Sequence, residues 1–93
     1  MNTANLQLQG LIMAVACISE TLVEKGALTH KELAASLGSA ERLVDQDDMR
    51  EFSEANKAAM LFPVRVLQLA NQASQRGRKF SFADYAELVG KLT

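Results

Sequence analysis

The chain has 93 residues, of which 48% are hydrophobic and 23% charged, and its formal net charge is −1. A chain of this length holds one hydrophobic core rather than two, and this composition excludes an intrinsically disordered protein. One proline and five glycines leave long stretches without helix-breaking residues. We therefore expect a single all-α domain over residues 1–93, built as a small bundle of four or five helices.

Charge is distributed unevenly along the chain. Residues 1–56 carry four basic and nine acidic side chains, whereas residues 57–93 carry six basic and two acidic ones. Halves of opposite sign can dock against each other within one monomer, or head to tail between two chains. The simpler alternative is that the two halves have solvated surfaces that merely differ in charge.

The first predicted helix begins at Thr3 or Ala4 and ends at Lys25. Gly26 follows at the place where a glycine commonly ends a helix. The middle of this helix is apolar almost all round, which is typical of a helix that is central to its domain or shared with another chain. The candidate self-association residues are Leu8, Leu11, Ile12, Val15, Ile18 and Leu22.

We expect a cytoplasmic protein. The apolar run Leu11–Ile18 has eight residues, whereas about 20 are needed to cross a bilayer. The residues before it lack the basic side chains of a secretory signal. Cys17 is the only cysteine, so no disulfide can form within the chain, and we interpret its thiol as a small apolar side chain.

A short second helix is predicted from His30 to Leu37. Thr29 and Glu32 form a T-x-x-E capping box at its start, and Gly38 is expected to end it. A third helix is then predicted to begin near Ala40, with the preceding serine as its N-cap.

The segment from residue 49 to residue 77 carries a heptad-like apolar pattern. The residues at alternating spacings of three and four are Phe52, Ala55, Ala59, Phe62, Val66, Leu69 and Ala73. Pro63 removes one helical hydrogen bond, yet the apolar phase is the same on both sides of it. We therefore favour one long helix kinked near Pro63 over two separate helices, and we expect Gly77 to end it.

A basic connection leads to the last predicted helix, over residues 82–89, which Ser81 is expected to cap. The candidate anion or nucleic-acid contact consists of Arg76, Arg78 and Lys79. Because aromatic residues follow, this segment has the composition of one that holds phosphates while stacking bases. The simpler interpretation is that the phenylalanines anchor the last helix.

We predict no catalytic, metal or cofactor site, and hence no enzyme. A zinc site needs about four Cys, His or carboxylate ligands, whereas Cys17 and His30 fall on different predicted elements. His30 is interpreted as a surface residue. A calcium loop beginning at Asp45 requires glycine and glutamate where the sequence has Arg50 and Asn56.

Residues 29–48 resemble the helix-turn-helix of bacterial transcription regulators. The resemblance is carried by Leu33, Ala34, Leu37, Gly38 and Val44. It implies a second helix that enters the major groove of DNA, but this helix would be mostly acidic, and phosphates repel acidic side chains. As a whole, the chain also resembles small uncharacterised bacterial helical proteins, which implies no activity.

The predicted function is therefore a non-enzymatic, homodimeric protein–protein interaction module that needs no cofactor, metal or membrane. Its basis is the wide apolar belt of the first helix, together with the heptad-like pattern and the uneven charge. An ordinary contact between helices of one chain requires the same apolar spacing, which leaves a monomer as an alternative. The alternative function is a helix-turn-helix regulator that binds DNA.

Overall fold

The computed structural model of the chain describes residues 3–46 and 54–92. Within these ranges the chain forms four helices and no strand. They are α1 (Thr3–Glu24), α2 (His30–Asp45), α3 (Glu54–Gln75) and α4 (Phe82–Leu92). The prediction of an all-α bundle is confirmed for the described part of the chain.

α3 is the central helix of the bundle, because α1, α2 and α4 all pack mainly against it. The buried core cluster consists of Ile12, Val66, Ala73, Tyr85 and Val89. It therefore joins α1 and α4 to the C-terminal half of α3. Half-buried apolar side chains of α3 and α4, including Phe62 and Phe82, surround this cluster.

Two helices end as their glycines predict. Gly26 and Gly77 adopt φ angles of +78° and +70°, in the left-handed region that favours glycine. After α1, the N–H of Ala27 donates to the carbonyl of Leu22 at 2.9 Å, and after α3 the N–H of Arg78 makes the equivalent bond at 2.7 Å. Both ends are Schellman motifs, which satisfy carbonyl groups that would otherwise lack partners.

Two helices begin with reciprocal side-chain caps. The N–H of Glu32 donates to the Thr29 hydroxyl, and the N–H of Thr29 donates to the Glu32 carboxylate, both at 3.0 Å. Ser81 and Asp84 make the same pair of bonds before α4, at 3.1 and 3.3 Å. The predicted N-caps Thr29 and Ser81 are confirmed, and α4 continues three residues beyond its predicted end at residue 89.

The helix break predicted at Gly38 is wrong. α2 is continuous over 16 residues, and the φ angle of Gly38 is not positive. The Ser39 hydroxyl, predicted as the N-cap of a further helix, donates instead to the Ala35 carbonyl one turn back, at 3.1 Å. The physical reason is tertiary packing: half-buried side chains on both sides of Gly38, among them Leu37 and Val44, lie on one face of α2, which packs on α3.

α3 runs without interruption through Pro63, so the prediction of one helix rather than two is confirmed. The kink at Pro63 stays a prediction. Of the predicted apolar row, Phe52 lies outside the described residues, and Ala55 and Ala59 are exposed. The row is covered only from Phe62 onwards, where the other helices pack.

In the described ranges, an ion pair joins the acidic and the basic half of the chain within the monomer. Arg65 of α3 and Glu41 of α2 approach to 3.8 Å, and both side chains are about one-third exposed. A pair of this kind contributes about 0–1 kcal/mol, so charge complementarity is a minor part of the contact between α2 and α3.

Replacement of Gly38 by alanine tests the continuity of α2. A Cβ at this position would lie 3.6 Å from Nη1 of Arg42, an ordinary contact distance. Since alanine favours a helix interior over glycine, Gly38→Ala should raise the free energy of unfolding by about 0.5–1 kcal/mol in urea denaturation.

Gly26→Ala is the matched control, because the φ angle of +78° at that position strains any residue with a Cβ. It should lower the free energy of unfolding by about 1–2 kcal/mol. A loss of stability in Gly38→Ala similar to that of the control would indicate a turn at Gly38 instead of a continuous helix.

Candidate functional site

α1 has an inner and an outer side. Ile12 is 4% exposed and packs in the core, and the half-buried Ala16, Ser19 and Val23 lie on the same side of the helix. The adjoining flank, rotated by roughly 100–120° from Ile12, carries Leu11 and Ile18, each of which is 61% exposed. α1 is therefore covered along one side only.

We define the outer face of α1 as Leu8, Leu11, Val15, Ile18 and Leu22. These residues alternate at spacings of three and four, which places them in one stripe along the helix. Val15 is half-buried and the other four are exposed. Of the six candidate self-association residues, Ile12 alone faces the core of its own chain, and the structure brings the other five together.

The outer face carries no charged side chain. The acidic residues of α1, Glu20 and Glu24, are rotated away from it by roughly 160° at 100° per residue. Contiguous apolar surface that no charge interrupts is typical of a surface that another molecule covers.

α1 also has the length and composition of a membrane-spanning helix, since it has 22 residues and its most apolar 18-residue stretch has a mean hydropathy of 1.6. It is the one helix in the described part of the chain that does. Core helices of soluble proteins and N-terminal signal sequences meet the same criterion. This property by itself therefore assigns the chain to no compartment.

A cleft of about 330 Å³ lies on another side of α1. It is bounded by α1, α2 and α3 and by the segment 78–82 that leads into α4. Apolar side chains from all of these elements line it, among them Met13, Leu37, Leu67, Ala70 and Phe80. Its volume falls within the range of small-molecule sites in proteins.

A polar pair lies in the wall of this cleft. The Asn71 side chain, which is 6% exposed, donates from Nδ2 to the His30 carbonyl at 2.9 Å. Its Oδ1 lies 2.8 Å from Nδ1 of His30. Because Oδ1 can only accept, Nδ1 carries the proton and donates. Asn71 thus ties the start of α2 to the middle of α3, and His30, interpreted from the sequence as a surface residue, is half-buried.

The cleft also brings together residues that the sequence keeps apart. Cys17, interpreted as a small apolar side chain, is exposed and lines the cleft together with His30. No hydrogen bond joins these two side chains in the described part of the chain. Residues 3–46 and 54–92 contain no group of three His, Cys, Asp or Glu side chains that could hold a metal ion.

Two of the three candidate anion-binding residues line the cleft. Arg78 and Lys79 line the cleft, whereas Arg76 does not, and all three are exposed. The loop considered for calcium begins at Asp45, which is exposed, and its residues 47–53 lie outside the described residues.

Sequence reasoning missed Asn71. The signal that could have identified it is its position four residues after the apolar Leu67, on the same face of α3. A polar residue at such a position is buried together with a hydrogen-bond partner. Local sequence patterns could not show that its partner is His30, which is 41 residues away.

No protein-family model matches the chain, and no match is found among curated proteins or solved structures. The resemblance to a helix-turn-helix stays a prediction, and the turn on which it depends is absent from α2.

Replacement of Asn71 by alanine tests the bond between α2 and α3. It removes the acceptor of His30 Nδ1–H and the donor to the His30 carbonyl. Since polar groups without a partner are costly in a half-buried site, the free energy of unfolding should fall by about 1–3 kcal/mol in urea. Gln72→Ala, at the exposed neighbouring position, should change it by less than about 0.5 kcal/mol. Equal effects of the two variants would contradict the structural role of Asn71.

Proposed function

We propose that this chain is a non-enzymatic helical module for protein–protein interaction that forms a homodimer through the outer face of α1. The observation that carries the proposal is the 61% exposure of Leu11 and Ile18 on a helix that packs in the core through Ile12, on an adjoining side. Large apolar side chains gathered in one exposed stripe favour association, because association removes them from water.

The spacing of the outer face favours a second copy of the same chain as the partner. Leu8 and Leu22 stand at equal distances along the chain from Val15, and Leu11 and Ile18 at nearly equal ones. A two-fold axis through Val15 would therefore set two antiparallel α1 helices against each other with apolar residues at every level. Such self-complementarity is what a symmetric dimer interface requires.

The size of the outer face is sufficient for a moderate affinity. Ten side chains in the dimer, about half exposed beforehand, would contribute on the order of 10 kcal/mol if each fully buried side chain contributes about 2 kcal/mol. Association of two molecules costs an estimated 4–15 kcal/mol. At the lower end of that cost, the surplus of about 6 kcal/mol corresponds to a dissociation constant of about 40 μM. We therefore expect a dimer at concentrations of several hundred micromolar, with little dependence on salt because the outer face carries no charge.

Leu11→Glu tests the proposal without disturbing the core, because Leu11 is largely exposed. The wild type should approach twice the mass of one chain in light scattering at several hundred micromolar, well above the expected dissociation constant. Leu11→Glu should have the mass of one chain, because pairing would bury an unpaired carboxylate. Circular dichroism should show the same helix content in both.

The matched control is Leu43→Glu on α2, since Leu43 is 71% exposed and lies outside the outer face. It should leave the dimer intact. A wild type that is a stable monomer, or one that partitions through α1 into phospholipid vesicles, would contradict the proposal.

DNA binding through residues 40–50 is the alternative function, and salt separates it from the dimer. Affinity for DNA falls steeply as ionic strength rises, whereas an apolar interface is nearly indifferent to it. Tight duplex binding at low salt that is lost at high salt, by a protein of single-chain mass, would support the alternative.

A further inference from the structure

The cleft beside α1 combines an apolar lining with positively charged residues, and one class of ligand matches both features. Its walls are mainly apolar and come from three helices, with Met13 from α1, Leu37 from α2 and Ala70 from α3. Methionine adapts to ligands of different shape because its side chain is unbranched and flexible. Such a lining is suited to an alkyl chain.

The segment 78–82 adds positive charge to this apolar lining. Arg78 and Lys79 both line the cleft, against Glu20 as the one acidic side chain among its lining residues. Neither Arg78 nor Lys79 forms a salt bridge with a residue in the described ranges. Two cationic side chains are thus available to a bound anion.

The backbone that carries these cations is held in place. The N–H of Arg78 donates to the Ala73 carbonyl at 2.7 Å as part of the cap of α3. Two residues later, the N–H of Phe80 donates to the Tyr85 hydroxyl at 3.2 Å, and their rings pack edge to face at 5.8 Å. A fixed backbone lowers the entropic cost of placing charged side chains on a ligand.

We propose that this cleft binds an amphipathic carboxylate of the size of a medium-chain fatty acid. The alkyl chain lies against the apolar walls, and the carboxylate accepts charge-assisted hydrogen bonds from Arg78 and Lys79. At roughly 30 Å³ for each non-hydrogen atom, 330 Å³ accommodates about ten such atoms, which is the size of octanoate.

This site is separate from the outer face of α1. Met13 and Cys17, which line the cleft, are rotated by roughly 100° or more from every outer-face residue on the helix. Ligand binding and dimer formation would therefore use different residues of α1. Failure of one proposal would leave the other standing.

Titration of ¹⁵N-labelled protein with octanoate, followed by amide NMR, tests the proposal. Saturable shifts should appear at Ala70, Phe80 and neighbouring cleft residues. Octan-1-ol, which has the same chain without the charge, should bind at least about tenfold more weakly. Absence of saturable shifts with octanoate, or shifts confined to the outer face of α1, would overturn the proposal.

The role of charge is tested by the double variant Arg78→Gln, Lys79→Gln. Because both positions are exposed, this protein should fold as the wild type does. Its affinity for octanoate should fall at least about tenfold, and its affinity for octan-1-ol should not change. Arg76→Gln, an exposed cation of the same segment outside the cleft, should bind octanoate like the wild type. Unaltered octanoate affinity in the double variant would overturn the assignment of the carboxylate.

Discussion

The packing of three helices against α3 determines which surfaces of the molecule stay open. α1 has 22 residues and a length of about 33 Å, yet Ile12 is its one buried side chain. A chain of this size has too few residues to cover an apolar helix on every side. The uncovered flank becomes the outer face, and the gap between α1 and the segment 78–82 becomes the cleft. Both proposed interactions thus have one physical origin.

Features that depend on local chemistry were predictable from the sequence. Gly26 and Gly77 end their helices because each adopts a left-handed conformation, which favours glycine over any residue with a Cβ. Ser81 begins α4 because its hydroxyl accepts a bond from a backbone N–H that has no partner within the helix. In each case the interacting atoms belong to residues that are close together in the sequence, so a local sequence pattern predicts where the helix begins or ends.

Features that depend on packing were not predictable in the same way. Gly38 resembles a helix end, but the apolar face of α2 continues past it onto α3, and burial outweighs a helix-propensity cost of about 1 kcal/mol. The apolar belt of α1 was evident from periodicity, whereas only the position of α3 decides that Ile12 faces inward and Leu11 outward. The pair of Asn71 and His30 joins residues 41 positions apart, and the cleft depends on four separate segments.

The central claim is that the outer face of α1 meets the same face of a second copy, and isotope-filtered NOE spectroscopy tests it most directly. A sample mixed from ¹³C-labelled and unlabelled chains reports contacts between chains only. The account predicts intermolecular NOEs from the methyl groups of Leu11, Val15 and Ile18, and none from Leu43 on α2. NOEs between chains that leave out α1, or none at all in the concentrated protein, would contradict it.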